Sequence, residues 1–152
     1  MNTPADNAAV LRKELLRAQK VLVVEDEYLQ ADSHCRLVRS AGATVIGPFA
    51  GVEDSIAAIS LHAPTLAIID LKLSSGQMAY DILDCLLGAG IPFVVISGYD
   101  CSSLAMAYRG LHCLTKPAMS IDVIDALRKA LEGDVACAEG SGDLWQGEPT
   151  PI

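Results

Sequence analysis

The 152-residue chain is short of positive charge: 11 lysines and arginines stand against 19 aspartates and glutamates, for a net charge of −8 and a pI near 4.7. Nucleic acids and anionic membrane surfaces are bound by basic side chains that displace counterions, so this balance argues against both and favours basic, metal or protein partners. The sequence also lacks any apolar run approaching the roughly 20 residues of a bilayer span, and its first twenty positions carry charges with no unbroken apolar core. A cytoplasmic protein that is soluble and not exported is expected. No internal repeat shows itself. Five cysteines, Cys35, Cys85, Cys101, Cys113 and Cys137, form an odd set without C-x-x-C spacing. Neither a disulfide framework nor a zinc site is therefore expected, and they read as small buried hydrophobes in a reducing compartment. His34, His62 and His112 share no metal-ligand spacing and are assigned no chemistry.

What is present is core-forming material. The composition is 51% hydrophobic and the mean hydropathy is +0.35, enough for one ordinary domain with a sizeable interior. Five short apolar runs, "KVLVVE" from Lys20, "TVIGPF" from Thr44, "LAIID" from Leu66, "PFVVIS" from Pro92 and "LHCLTK" from Leu111, read as strands covered on both faces. Between and after them, Val52, Ile56 and Ile59, then Ile82, Leu83, Leu86 and Leu87, then Ile121, Ile124, Leu127 and Leu131 recur at helical spacing. Ser120 and Asp26 stand where helix caps are expected. Alternating strands and helices imply a doubly wound α/β domain with a five-stranded parallel sheet over residues 20–132. Residues 1–19 form an extension in which Leu11, Leu15 and Ala18 supply one helical face, open to capping the domain, pairing two copies as a homodimer, or neither. Residues 133–152 form a polar tail, in which Leu144-Trp145 is the one apolar pair that reads as exposed.

In open parallel sheets, ligands collect outside the carboxyl ends of the strands. The first strand ends in Glu25-Asp26, the third in Asp70, the fourth in Ser97 and the fifth in Lys116, so the topology gathers five polar groups at one edge. Taken singly each has a plain structural use: Asp26 as a cap, Asp70 as a turn acid, Ser97 as a strand end, Lys116-Pro117 as a joint. Three carboxylates at close range repel one another unless a cation intervenes, and a hard divalent ion with oxygen ligands answers that need. Mg²⁺ prefers few carboxylates, several waters and a phosphate, which points to phosphoryl chemistry with Asp70 as nucleophile. Lys116 and Ser97 are the cation and the hydroxyl for the phosphoryl oxygens.

The acidic pair, Asp70, Ser97 and "TKP" at Lys116-Pro117, in this order and spacing, resemble the receiver domains of bacterial two-component response regulators. The resemblance spans residues 20–132 and implies a flavodoxin-like sheet of order 2-1-3-4-5 with helices on both faces. It implies a phosphoryl group passed to Asp70 from a sensor histidine kinase or a histidine phosphotransfer protein. Mg²⁺ would be held by Asp26, Asp70 and the backbone carbonyl of Lys72, with Glu25 acting through water, and the peptide before Pro117 would be cis. Output would pass to a downstream protein target, without direct nucleic-acid contact or membrane insertion, or the domain would serve as a phosphate sink. Tyr99, Asp100 and Tyr108 would lie near the surface that reads the switch.

The sequence departs from the common receiver pattern at Cys113, three residues before the lysine, where an aromatic residue is usual. It also lacks the proline after the phosphoacceptor loop and has Gly98 after Ser97. With "IPFVVISGYD", these features are similar to receivers carrying the FATGUY pattern. Two rivals stand beside this reading. A pseudo-receiver scaffold would keep the fold without accepting phosphate. A Mg²⁺-dependent phosphatase of the haloacid dehalogenase type would want a second acid two residues after the nucleophile, where this chain has Lys72.

Overall fold

The computed structural model describes residues 3–73, 76–98, 101, 104, 108 and 111–133, and for residues 8–12 the backbone alone. Leu11 as a side chain, Tyr99, Asp100, and the tail from residue 134 with Leu144-Trp145 lie outside the described residues.

Five strands, β1 (Lys20–Val24), β2 (Thr44–Phe49), β3 (Leu66–Asp70), β4 (Phe93–Ser97) and β5 (His112–Thr115), form one parallel sheet in the order β2-β1-β3-β4-β5. The named helices are α1 (Pro4–Glu14), α2 (Tyr28–Ser40), α3 (Val52–His62), α4 (Tyr80–Gly88) and α5 (Ser120–Leu131), and Cys101 and Leu104 are helical between β4 and β5. Side chains alternate along each strand, so one run of apolar residues serves two cores. Leu22, Val24, Ala67, Ile69 and Val95 pack with α3 and α4, and Leu104 joins them. Val21, Val23, Leu66, Ile68, Val94 and Ile96 pack with α2 and α5. The three central strands are apolar without interruption because both of their faces are covered, the flavodoxin-like arrangement expected from the sequence.

Several local expectations are corrected. The first long helix after β1 is capped by Glu27, whose two carboxylate oxygens accept from the amides of Leu29 (3.3 Å) and Gln30 (2.8 Å), and not by Asp26. Ser120 is the first residue of α5; Met119 holds the cap position without a side-chain hydrogen bond. Leu87 of α4 and Ile121 of α5 are exposed although they continue the helical spacing of their neighbours, while Val123 of α5 is buried. In the extension, Leu16 is fully buried, whereas Leu15 is exposed and Ala18 has left the helix with φ +65°. The Leu16 amide donates to the Ala41 carbonyl at 2.9 Å, and Gly42 lies so close that a Cβ there would stand 2.5 Å from the Lys13 carbonyl. Glycine, at φ +93°, is what lets the end of α1 settle on the turn between α2 and β2.

Two covalent and polar ties bind the region after β4. Tyr108 donates from its hydroxyl to Asp84 Oδ1 at 3.0 Å and stacks on Tyr80, with ring centroids 6.0 Å apart. Burial, with the Asp84 hydrogen bond next, pushes the Tyr108 phenol up to about 12. Cys101 and Cys113 are joined by a disulfide. The expectation that no cysteines pair was wrong for these two: they are 12 positions apart in the chain, and the crossover from β4 back to neighbouring β5 brings them together. Cys35 is buried and Cys85 half-buried, both as thiols. None of the helices described is long and apolar enough to cross a membrane.

Candidate functional site

The strand order reverses between β1 and β3, and the crevice at that point is where the sheet presents its carboxyl ends. The chain leaves β1 into Glu25-Asp26 there, with the Glu25 amide fixed on the Phe49 carbonyl at 3.0 Å. Asp70 ends β3 in register with Ile96 of β4, and Ser97 of β4 stands opposite Thr115 of β5. The Lys116 amide then donates to the Ser97 carbonyl at 2.7 Å, which sets the lysine beside the crevice, and the Lys116–Pro117 peptide is cis. After Asp70, the Leu73 amide bonds to the Gln77 carbonyl and the Ala79 amide to the Leu71 carbonyl, holding Lys72 opposite Met78 at the rim.

Four polar or charged residues are buried among those described: Glu25, Ser55, Asp70 and Ser97. Ser55 is accounted for by its hydroxyl, which donates to the Gly51 carbonyl at 2.6 Å inside α3. The other three all belong to the crevice, and interiors seldom keep carboxylates without a use for them. Oxygens of Glu25, Asp26 and Asp70 lie within 4.8 Å of one another. Lys116 Nζ donates to Asp70 Oδ2 at 3.1 Å and stands 3.7 Å from Glu25 Oε2. The crevice therefore unites Glu25, Asp26, Asp70 and Lys116, with Ser97 and Lys72 on its edges.

Glu25 is the electrostatic outlier. Its Oε1 accepts the Glu27 amide at 3.1 Å, while Oε2 is buried without a hydrogen-bond partner. Burial raises its pKa to about 7; the Glu27 amide opposes that, repulsion from Asp70 adds to it, and Lys116 offsets part of it. An orphaned carboxylate oxygen beside two further acids fits a divalent cation, which would take up the charge that one lysine leaves uncompensated. Burial, more than the mutual repulsion expected from the sequence, is the larger cause.

This has a measurable consequence in metal-free protein. Between the ordinary glutamate value of 4.5 and about 7, the folded chain holds a proton that the unfolded chain has released. Stability from this group is complete below that window and lost as pH rises through it, by about 3 kcal/mol. Denaturation in a chelator should show this decline from pH 5 to 7.5, and Glu25→Gln should flatten it; an equally steep decline in the variant would refute the assignment.

Beside the crevice, a groove of about 510 Å³ is lined by Leu29, Gln30, Ser33 and His34 of α2 together with Lys116, Pro117 and Ala118. His34, to which the sequence assigns no chemistry, stands on this wall, where burial first and Lys116 next lower its pKa. No signal in its spacing could have found it, because its neighbours come from the distant stretch between β5 and α5, brought beside α2 on the same face of the sheet.

No protein-family model and no curated protein matches the chain by sequence. Solved structures do. The fold is that of response regulator receiver domains, and the neighbours include PhyR receivers in particular. The anti-anti-sigma factor PhyR from Bartonella quintana, in a two-site mutant form, superposes with a TM-score of 0.71 at 25% identity over 83% of this chain and 53% of its own. The receiver domain of PhyR from Erythrobacter litoralis gives 0.67 at 26% identity over 90% and 98%. The signal receiver domain of a putative LuxO repressor from Vibrio parahaemolyticus gives 0.65 at 23% over 87% and 99%, a likeness of fold alone. The chain spans about half the length of the longer PhyR structures.

Proposed function

We propose that the protein is a phosphoryl-accepting response regulator receiver, with Asp70 as the acceptor. One observation carries the reading: a buried Asp70 with a lysine ammonium at 3.1 Å and, within 4.8 Å, two more acids, one of them with an orphaned oxygen. In the transfer, an Asp70 carboxylate oxygen attacks phosphorus, the P–N bond to a donor imidazole breaks, and the ring nitrogen keeps the electron pair. The product is an acyl phosphate on Asp70. Lys116 and the Ser97 hydroxyl would meet the phosphoryl oxygens, where fixed donors act most strongly in a water-poor crevice. Asp26, Asp70 and the Lys72 carbonyl would hold Mg²⁺, with Glu25 through water. Bound there, the ion would neutralise charge on the phosphoryl oxygens.

The donor would be a histidine kinase or phosphotransfer protein, reaching Asp70 past the exposed Leu29 and the groove along α2. Output would go to a protein partner, or the domain would drain phosphoryl groups from another regulator. The acidic composition speaks against direct nucleic-acid binding.

Intact-protein mass after incubation with acetyl phosphate and Mg²⁺ tests the proposal. Wild type should gain one phosphoryl group and Asp70→Asn none. No gain in wild type with either acetyl phosphate or a phosphohistidine donor would replace this reading with that of a pseudo-receiver scaffold. Ser33→Arg, on the groove wall, should slow transfer from the protein donor and leave acetyl phosphate uptake unchanged.

A further inference from the structure

The sulfur pair beside the site lies outside the carboxylate cluster, and its Cys113 packs on the margin of the α3–α4 core. Cys101 and Cys113 have Cα atoms 5.8 Å apart, within the range in which a disulfide closes without moving the backbone. Both are half-buried, so small reagents reach them, whereas Cys35 is enclosed and its thiol pKa is raised by burial. Their placement matters more than their proximity. Cys113 pairs with Val95 two positions before the Ser97–Thr115 pair, and Lys116 directly follows the end of β5. Cys101 follows Ser97 by four positions, and its sulfur lies 3.6 Å from Thr115 Oγ1. A bond here ties the segment leaving Ser97 to the strand that delivers Lys116.

We propose that Cys101 and Cys113 form a reversible thiol–disulfide site which, when oxidised, clamps the β4–β5 connection beside the carboxylate crevice. A peroxide is the oxidant class. One thiolate attacks the peroxide to give a sulfenic acid and, after protonation, one water; the second thiol displaces a second water as the S–S bond forms. Two thiols lose two electrons in total, the peroxide gains them, and a dithiol reverses the step. The clamp stands on the cysteine geometry alone. Its consequence for signalling rests on the proposed function: the bond fixes Cys101 against β5, so any rearrangement there that phosphorylation favours becomes less accessible in the oxidised form.

The full chain, reduced and then treated with hydrogen peroxide, should yield a linked peptide pair containing Cys101 and Cys113, cleaved again by dithiothreitol, with Cys35 and Cys85 still alkylated once the oxidised protein is denatured. Amide exchange over residues 98–115 should slow by about tenfold or more on oxidation, and not in Cys101→Ser or Cys113→Ser. No linked peptide, or linkage through other cysteines, overturns the site; unchanged exchange overturns the clamp. Acetyl phosphate uptake should then be slower, or the acyl phosphate shorter-lived, in the oxidised protein. Equal behaviour of both forms overturns the coupling, while absence of uptake in both overturns the phosphoacceptor reading and leaves the clamp to be judged by exchange.

Discussion

Lys116→Met is expected to accept a phosphoryl group from acetyl phosphate about 10²- to 10³-fold more slowly than wild type, the usual cost of deleting one preorganised charge at a developing oxyanion. The Lys116 amide is bound to the Ser97 carbonyl, so the side chain is delivered by the same pair of strands that carries the serine. Its Nζ reaches Asp70 at 3.1 Å and remains at 3.7 Å from Glu25, leaving it between the nucleophile and the second acid. It is also the cation that restrains the raised Glu25 pKa, so its loss leaves the acids with less compensation. Divalent-ion binding should persist in the variant, because the three carboxylates remain. The check is a single-turnover time course by intact mass, with circular dichroism to show that the variant is folded. A folded variant that accepts the group within about threefold of the wild-type rate would remove Lys116 from the mechanism.

The constellation was legible in the sequence because apolar runs that end abruptly in acids, a serine and a lysine are visible without coordinates, and a parallel sheet puts all such endings on one edge. "LAIID" marks both a strand covered on two faces and the group at its mouth. Contacts that depend on where the chain returns were not legible. The pairing of Cys101 with Cys113 needs the crossover between adjacent strands, and the hydrogen bond from Tyr108 to Asp84 needs the segment after β4 laid against α4. Glu27 was missed as a cap for another reason. Aspartate is the commoner cap, and only the turn of the chain shows that the longer side chain, one residue on, reaches two free amides while Asp26 is turned towards the crevice acids.

Helix α4 offers the clearest separation of pattern from packing. Leu86 and Leu87 are adjacent, equally apolar and indistinguishable by composition, yet Leu86 is fully buried and Leu87 is 51% exposed. Successive residues on a helix point about 100° apart, so a stripe that contains Ile82, Leu83 and Leu86 leaves Leu87 at its margin. Leu86 belongs to the core on the α3–α4 face of the sheet, together with Ile69 and Val95 on the strands that end at the site. Leu86→Ala should therefore destabilise the protein by about 2–5 kcal/mol through lost burial and an unfilled cavity. Leu87→Ala should stay within about 0.5 kcal/mol of wild type. Urea denaturation of both variants in the same buffer measures the difference, and similar losses would mean that α4 is rotated from the position described. The same helix carries Tyr80 and Asp84, the partners of Tyr108, so loosening its seat should also reach the segment that follows β4. A lowered Tyr108 pKa in Leu86→Ala, read by the ultraviolet absorbance of the phenolate, would separate that transmitted effect from a loss confined to the core.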